Sequence, residues 1–147
     1  MIWFLEGQSS QRDVIAGARE ALPETARIFA SHRQNRPEIT GLADVAWREP
    51  QDNEARIGWV IEQARAHGIK VVLAGRVGQV FEAHRAEFEA AGVQLVTGAL
   101  DLDTFERVDD KSVFTRDALA AGLACIPAIT VHNQAELQNA YAQLARD

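Results

Sequence analysis

The sequence predicts a three-layer, Rossmann-like α/β fold: a mainly parallel five-stranded sheet between helices, followed by C-terminal linker helices. Three observations predict it. Short, continuously apolar runs such as Ile2-Trp3-Phe4-Leu5 and Val71-Val72-Leu73-Ala74 are what strands covered on both faces require. These runs alternate with stretches of helical periodicity, the pattern of a parallel sheet with crossover helices. The alternation then stops after Val93-Gln94-Leu95-Val96, and only helical segments follow a boundary near Leu100.

Taken in order, Ile2 to Leu5 forms the first strand, and Gly7-Gln8-Ser9-Ser10 ends it. Val14, Ile15, Ala18 and Leu22 then make one apolar stripe on a helix that Pro23 closes. Ala26 to Ala30 is the second strand. The polar segment 31–41, with Pro37, reads as a loop with one turn of helix. Asp44 to Trp47 is a short third strand at an edge. Asn53 to His67 is a helix with Ile57, Val60, Ile61 and Ala64 on one side and Gly68 at its C′ position. Val71 to Ala74 is the fourth strand. A helix from Gln79 to Ala91 carries Val80, Phe81, His84 and Phe88 and stops at Gly92; Val93 to Val96 is the fifth strand. The unbroken apolar character of the first and fourth strands places them side by side at the centre, in the order 3-2-1-4-5.

Beyond the boundary, residues 101–107 supply one or two helical turns and a second helix opens at Lys111. Ile129-Thr130-Val131 is a brief extended run. The last helix runs from Asn133 to Arg146, with Asn133 and Glu136 spaced as a capping box. Its stripe Leu137, Ala140, Tyr141, Leu144 is expected to pack on the sheet domain or on a neighbouring copy. The sequence thus divides into a Rossmann-like domain over 1–100 and a helical linker over 101–147.

Composition bounds the function. With 147 residues, 47% of them hydrophobic, and a net charge of −6, the chain is a globular protein without the basic surface that nucleic acid requires. No apolar run approaches the ~20 residues of a membrane span, and the N-terminus has no signal-peptide pattern. The lone Cys125 cannot form an internal disulfide, which fits a cytoplasmic protein.

In an open parallel sheet, ligands bind beyond the carboxyl ends of the strands. The loops there carry Gly7-Gln8-Ser9-Ser10-Gln11-Arg12, His32-Arg33, Arg48-Glu49, Gly75-Arg76-Val77-Gly78 and Thr97-Gly98. Gln8, Ser9 and Ser10 stand where a helix begins, a place that favours an anion; capping of that helix explains the serines equally well. Arg76, between two glycines, offers a forked donor to a phosphate or carboxylate, or is a solvated arginine in a tight turn. Arg48-Glu49-Pro50 reads as a surface ion pair before a turn. There is no GxGxxG dinucleotide fingerprint, no P-loop, no GxSxG elbow and no histidine or cysteine spacing suited to zinc.

The last third carries a more specific signal: Asp110-Lys111, then Ala118-Leu119 and Gly122, then Ile126-Pro127 and Thr130-Val131, then Glu136-Leu137 and Ala140. Following a βα-repeating region, this string resembles the pre-ATP-grasp domain and linker helices of ATP-grasp ligases such as carbamoyl-phosphate synthetase and biotin carboxylase. The resemblance implies an N-terminal piece of an enzyme whose next element, a glycine-rich strand and loop with a nucleotide-binding lysine, lies beyond Asp147. It implies ATP-dependent ligation of a carboxylate through an acyl phosphate, with Mg2+ held by downstream residues. It also implies Lys111 as the one nucleotide-contacting residue here; a solvated lysine in a first helical turn is the alternative. By the same resemblance the loops of the first domain, with Gln8, Ser9, Ser10, Arg33 and Arg76, meet the non-nucleotide substrate, a small carboxylate. The expected partners are the ATP-grasp domain of the same polypeptide and, for an exposed face, a second copy in a homodimer. A stand-alone small-ligand or oligomerisation module without catalysis is the competing reading.

Overall fold

A computed structural model describes residues 1–76, 78–126 and 128–145. Val77 of the glycine-flanked loop, Pro127 of the expected turn and Arg146 at the expected end of the last helix lie outside the described residues.

Five strands and eight helices are present among the described residues. The strands are β1 (Ile2–Phe4), β2 (Ile28–His32), β3 (Val45–Arg48), β4 (Val71–Leu73) and β5 (Gln94–Val96). They form one sheet in the order β3-β2-β1-β4-β5, and every pairing is parallel. β1 and β4 are therefore adjacent and central and β3 is an edge, as the apolar runs predict. In register, Trp3 lies between Phe29 and Val72, and Phe4 between Ala30 and Leu73.

The helices are α1 (Gln11–Ala21), α2 (Pro37–Thr40), α3 (Asn53–His67), α4 (Gly78–Glu82), α5 (Arg85–Ala90), α6 (Leu102–Asp109), α7 (Lys111–Ala120) and α8 (Gln134–Leu144). Alternate strand residues feed two separate cores, as the period of two requires. On one face Trp3, Phe29, Val72 and Leu95 pack with Ile57, Val60, Ile61 and Ala64 of α3, Phe81 of α4 and Phe88 of α5. On the other, Phe4, Ile28 and Ala30 pack with Ile15 of α1 and Ile39 of α2. At the edge, Trp47 is half-buried and meets Trp3 edge-on at 4.9 Å between ring centroids, which shields the outer strand.

α3 starts and stops where its sequence says. Asp52 caps it by accepting from the Ala55 N–H at 2.8 Å, and Gly68 ends it with φ of +65°. The expected helix from Gln79 to Ala91 is instead two short helices. Its spacing of Phe81, His84 and Phe88 is helical throughout, but His84 stands at the N-cap of α5 with φ −109° and ψ 14°. The break lets Phe81 and Phe88 meet edge-on at 6.0 Å within the core. The run Ile129 to Val131 forms no strand.

The chain comprises two compact units, Met1–Leu102 and Asp103–Asp147. In the second unit Asp110 caps α7, accepting from the N–H groups of Ser112 and Val113 at 2.8 and 3.1 Å. Asn133 and Glu136 form the expected reciprocal cap of α8. Within this unit the stripe is not covered: Leu137 is 57%, Tyr141 75% and Leu144 41% accessible, and of α8 only Ala140 is buried.

These two environments predict opposite outcomes. Phe29→Ala, in the first core, is expected to lower unfolding free energy by about 3–5 kcal/mol, whereas Leu137→Ala should stay within about 0.5 kcal/mol. Urea denaturation of the two variants checks the contrast.

Candidate functional site

The carboxyl edge of the sheet holds two neighbouring arrangements. The first is a buried ionic network beyond β1, β2 and β3. Glu49, just past β3, accepts from the Glu6 N–H at 2.7 Å, from the Ser31 hydroxyl at 2.7 Å and from Arg56 Nε. Ser31 in turn accepts from the Trp3 indole N–H at 2.8 Å. The Glu6 carboxylate takes Arg33 Nε at 2.5 Å and lies 3.8 Å from Arg56 Nη2. His32 Nδ1 accepts the Gln34 N–H at 2.9 Å, which assigns the ring proton to Nε2.

Arg56 is 1% exposed, and its guanidinium lies over the Phe81 ring at 4.7 Å. Burial pushes its pKa down, against the opposing charge and hydrogen bond of Glu49. Nη1 and Nη2 have no hydrogen-bond partner among the described residues. The surface ion pair expected at Arg48-Glu49 is thus not formed. Glu49 is 2% exposed and belongs to Arg56, while Arg48 is exposed.

The second arrangement is a cleft of about 310 Å³ at the β1/β4 junction, where the strand order reverses. Phe4, Val14, Leu73 and Ala74 line it with apolar surface; Gln8, Ser10, Gln11 and Arg76 supply its polar groups. Its walls are locked backbone to backbone. The Arg76 N–H donates to the Glu6 carbonyl at 2.7 Å, and a Cβ on Gly75 would stand 2.0 Å from that carbonyl oxygen. Only glycine allows this approach. On the opposite wall, the buried Gln11 amide donates to the Leu5 carbonyl, tying α1 to the end of β1.

The sequence-derived candidates separate accordingly. Gln8, Ser10 and Arg76 come together in the cleft. Arg76 is exposed, and its guanidinium has no side-chain partner among the described residues. The Ser9 hydroxyl receives Arg36 Nη2 at 3.2 Å. Ser10 makes no capping bond with its side chain, and the N–H groups of Gln11, Arg12 and Asp13 are already spent on the carbonyls of Gln8, Ser9 and Ser10. Arg33 is committed to Glu6 and to Gln51 and Asn53. Lys111, at the start of α7, is exposed and belongs to the second unit. Sequence reasoning missed Glu6, Glu49 and Arg56. One signal was available: Arg56 sits four residues before Val60 on the buried stripe of α3, an unusual place for a charge.

The loop after β5 is clamped in the same manner. Glu82 is buried, pairs with Arg85 Nε at 2.5 Å and accepts from the Thr97 hydroxyl at 2.5 Å. Arg85 also donates to the carbonyls of Leu95 and Ala99. The Arg85 hydrogen bond, joined by that of Thr97, holds the Glu82 carboxyl below its ordinary value.

No protein-family model matches the chain, and no curated protein matches it by sequence. Solved structures do. N5-carboxyaminoimidazole synthetase from Staphylococcus aureus, complexed with ADP, is 10% identical with a TM-score of 0.63, over 97% of this chain and 35% of its own. The biotin carboxylase subunit of a pyruvate carboxylase is 18% identical with a TM-score of 0.58, over 99% of this chain and 32% of its own. The biotin carboxylase domain dimer of Hydrogenobacter thermophilus 2-oxoglutarate carboxylase, in complex with MgADP and bicarbonate, is 14% identical with a TM-score of 0.57, over 97% and 32%. The chain thus shares its fold with part of each of these enzymes, and it spans about a third of the length of these neighbours.

Two outcomes test the geometry. Gly75→Ala should destabilise the protein, because backbone must move, while Gly58→Ala on α3, where an added Cβ meets nothing within 4 Å, should stabilise it by about 1 kcal/mol. Thermal melts of the two variants read the opposite signs. Because folding depresses the Glu82 pKa, its ionised form adds stability above about pH 4.3, and that contribution disappears as the pH falls through the lower folded value. Glu82→Gln should therefore be less stable at pH 7 yet lose less stability between pH 5 and 3, as measured by denaturation across that range.

Proposed function

We propose that the chain is the N-terminal, substrate-side domain of an ATP-dependent carboxylate–amine or related ligase that acts through an acyl phosphate. The observation that carries this reading is the cleft at the β1/β4 junction, in a fold that follows the ATP-grasp ligase neighbours over nearly its whole length. In this reading Gln8, Ser10 and Arg76 meet the small carboxylate substrate, and Ser9, next to them in sequence, is bonded to Arg36. Arg33 acts one step back, by holding Glu6 and hence the loop that Glu6 begins. Lys111 contacts the nucleotide from the second unit.

Among the described residues no group of three His, Cys, Asp or Glu side chains is placed to hold a metal ion, and Lys111 is a single exposed cation. In this reading ATP and Mg2+ belong to an ATP-grasp region of the same polypeptide, which would activate the carboxylate by phosphorylation before the nucleophile displaces phosphate. A homodimer and a cytoplasmic location complete the proposal; no described helix is long and apolar enough to cross a membrane.

Two measurements test it. Calorimetry of the 147-residue chain with Mg·ATP should show no micromolar binding and no hydrolysis. In the polypeptide that joins this chain to an ATP-grasp region, an 18O-labelled carboxylate substrate should deliver label to the released phosphate. Turnover of ATP with a carboxylate but without such transfer would overturn the acyl-phosphate reading. Saturable ligand binding by the joined polypeptide without any ATP turnover would favour the non-catalytic module.

A further inference from the structure

We infer that the β1/β4 cleft selects a short aliphatic monocarboxylate, with its hydrocarbon on Phe4, Val14 and Leu73 and its single negative charge on Arg76. The inference rests on the reading of this cleft as the substrate side and narrows it to a chemical class.

Size is the first argument. At about 310 Å³ the cleft lies at the low end of the ~300–1,000 Å³ that small-molecule sites occupy. Lining is the second. Val14 is 53% exposed on α1 although it faces a cavity that also holds Phe4, Leu73 and Ala74. A hydrocarbon chain would cover this apolar surface; a sugar or a polyphosphate would leave its own hydroxyls or charges against it unsatisfied.

Charge is the third and decides the number of anionic groups. Among the described residues Arg76 is the one charged residue in the lining. The neighbouring ionic groups cannot add to it: Arg33 is taken by Glu6, and Arg56 is sealed beneath Glu49. The start of α1 adds little, because the N–H groups of Gln11, Arg12 and Asp13 already bond to carbonyls within the turn. One guanidinium can pair with one carboxylate in forked geometry. A dicarboxylate or a phosphate dianion would carry a second charge into a partly apolar cleft without a partner. The Ser10 hydroxyl and the Gln8 amide remain to complete the hydrogen bonds of a single carboxylate.

The test is a 1H–15N NMR titration of the full 147-residue chain with isovalerate, and with acetate, isovaleramide, succinate and inorganic phosphate as comparisons. Isovalerate should give saturable shifts at the amides of Gly7, Ser10 and Gly75, and should bind tighter than each of the other four. Arg76→Gln, at an exposed position, should weaken isovalerate by roughly 10- to 100-fold, the value of one charge-assisted hydrogen bond, and leave isovaleramide unchanged. The inference is overturned if isovalerate gives no saturable shift at these amides, if succinate or phosphate binds as tightly, or if Arg76→Gln has no effect on isovalerate. The ligase reading fails separately. Transfer of 18O from a dicarboxylate in the joined polypeptide would sink this inference and keep that reading, whereas isovalerate binding without any ATP-driven turnover would do the reverse.

Discussion

The ends of β1, β2 and β3 at the carboxyl edge of the sheet depend on one carboxylate. Glu49 takes hydrogen bonds from the backbone of Glu6, the hydroxyl of Ser31 and the guanidinium of Arg56, so a single side chain ties the ends of β1, β2 and β3 to helix α3. The pair it makes with Arg56 is sealed from water. Breaking a buried pair by removing one partner costs about 3–5 kcal/mol, yet replacing both by well-packed apolar residues is often neutral. Net stability is therefore a poor explanation for it. Geometry is a better one: an apolar replacement would fill the volume but would leave the Glu6 N–H and the Ser31 hydroxyl without an acceptor.

The network also sorts the charges of this edge into two classes. Arg56 is neutralised by Glu49 and Arg33 by Glu6, and His32 keeps an acceptor nitrogen turned to the Gln34 N–H. Two carboxylates and two guanidiniums cancel here, three of the four groups buried and Arg33 half-buried. Among the described residues the adjacent cleft then retains a single cation, Arg76, over an apolar floor. A site with a modest, well-located positive charge results, although the sequence places several arginines in the same loops.

How much of this was legible in the sequence follows from the range of each interaction. β1 and β4 were legible because a doubly covered strand is apolar at every position, and Ile2 to Phe4 and Val71 to Leu73 are. The stop of α3 at Gly68 and the cap of α8 were legible because they are built within four residues. The break at Ala83-His84 was not, because Phe81, His84 and Phe88 keep helical spacing across it and only the packing of the two rings distinguishes the alternatives. The Glu49 network was not either. Its Glu6 contact spans 43 positions, and the local neighbour Arg48 offered a plausible but wrong partner. Of the cleft, the polar rim at Gln8, Ser10 and Arg76 was visible from strand ends alone. The removal of Arg33 from that rim required the fold.

The cleft itself exists because two loops touch through backbone rather than side chains. The Glu6 carbonyl receives the Arg76 N–H, and the missing Cβ of Gly75 is what permits the approach. That contact connects the two arrangements. Glu6 offers its carbonyl to the β4 loop, its N–H to Glu49 and its carboxylate to Arg33, so the ionic network fixes the residue against which Arg76 is positioned. Preorganisation of this kind matters for a small ligand. With few atoms to bind, it cannot supply the free energy to order a loop, and a single charged contact serves only if its direction is set beforehand. In the proposed site the buried pair would act on recognition without touching the ligand: it holds the frame in which one exposed guanidinium faces an apolar wall.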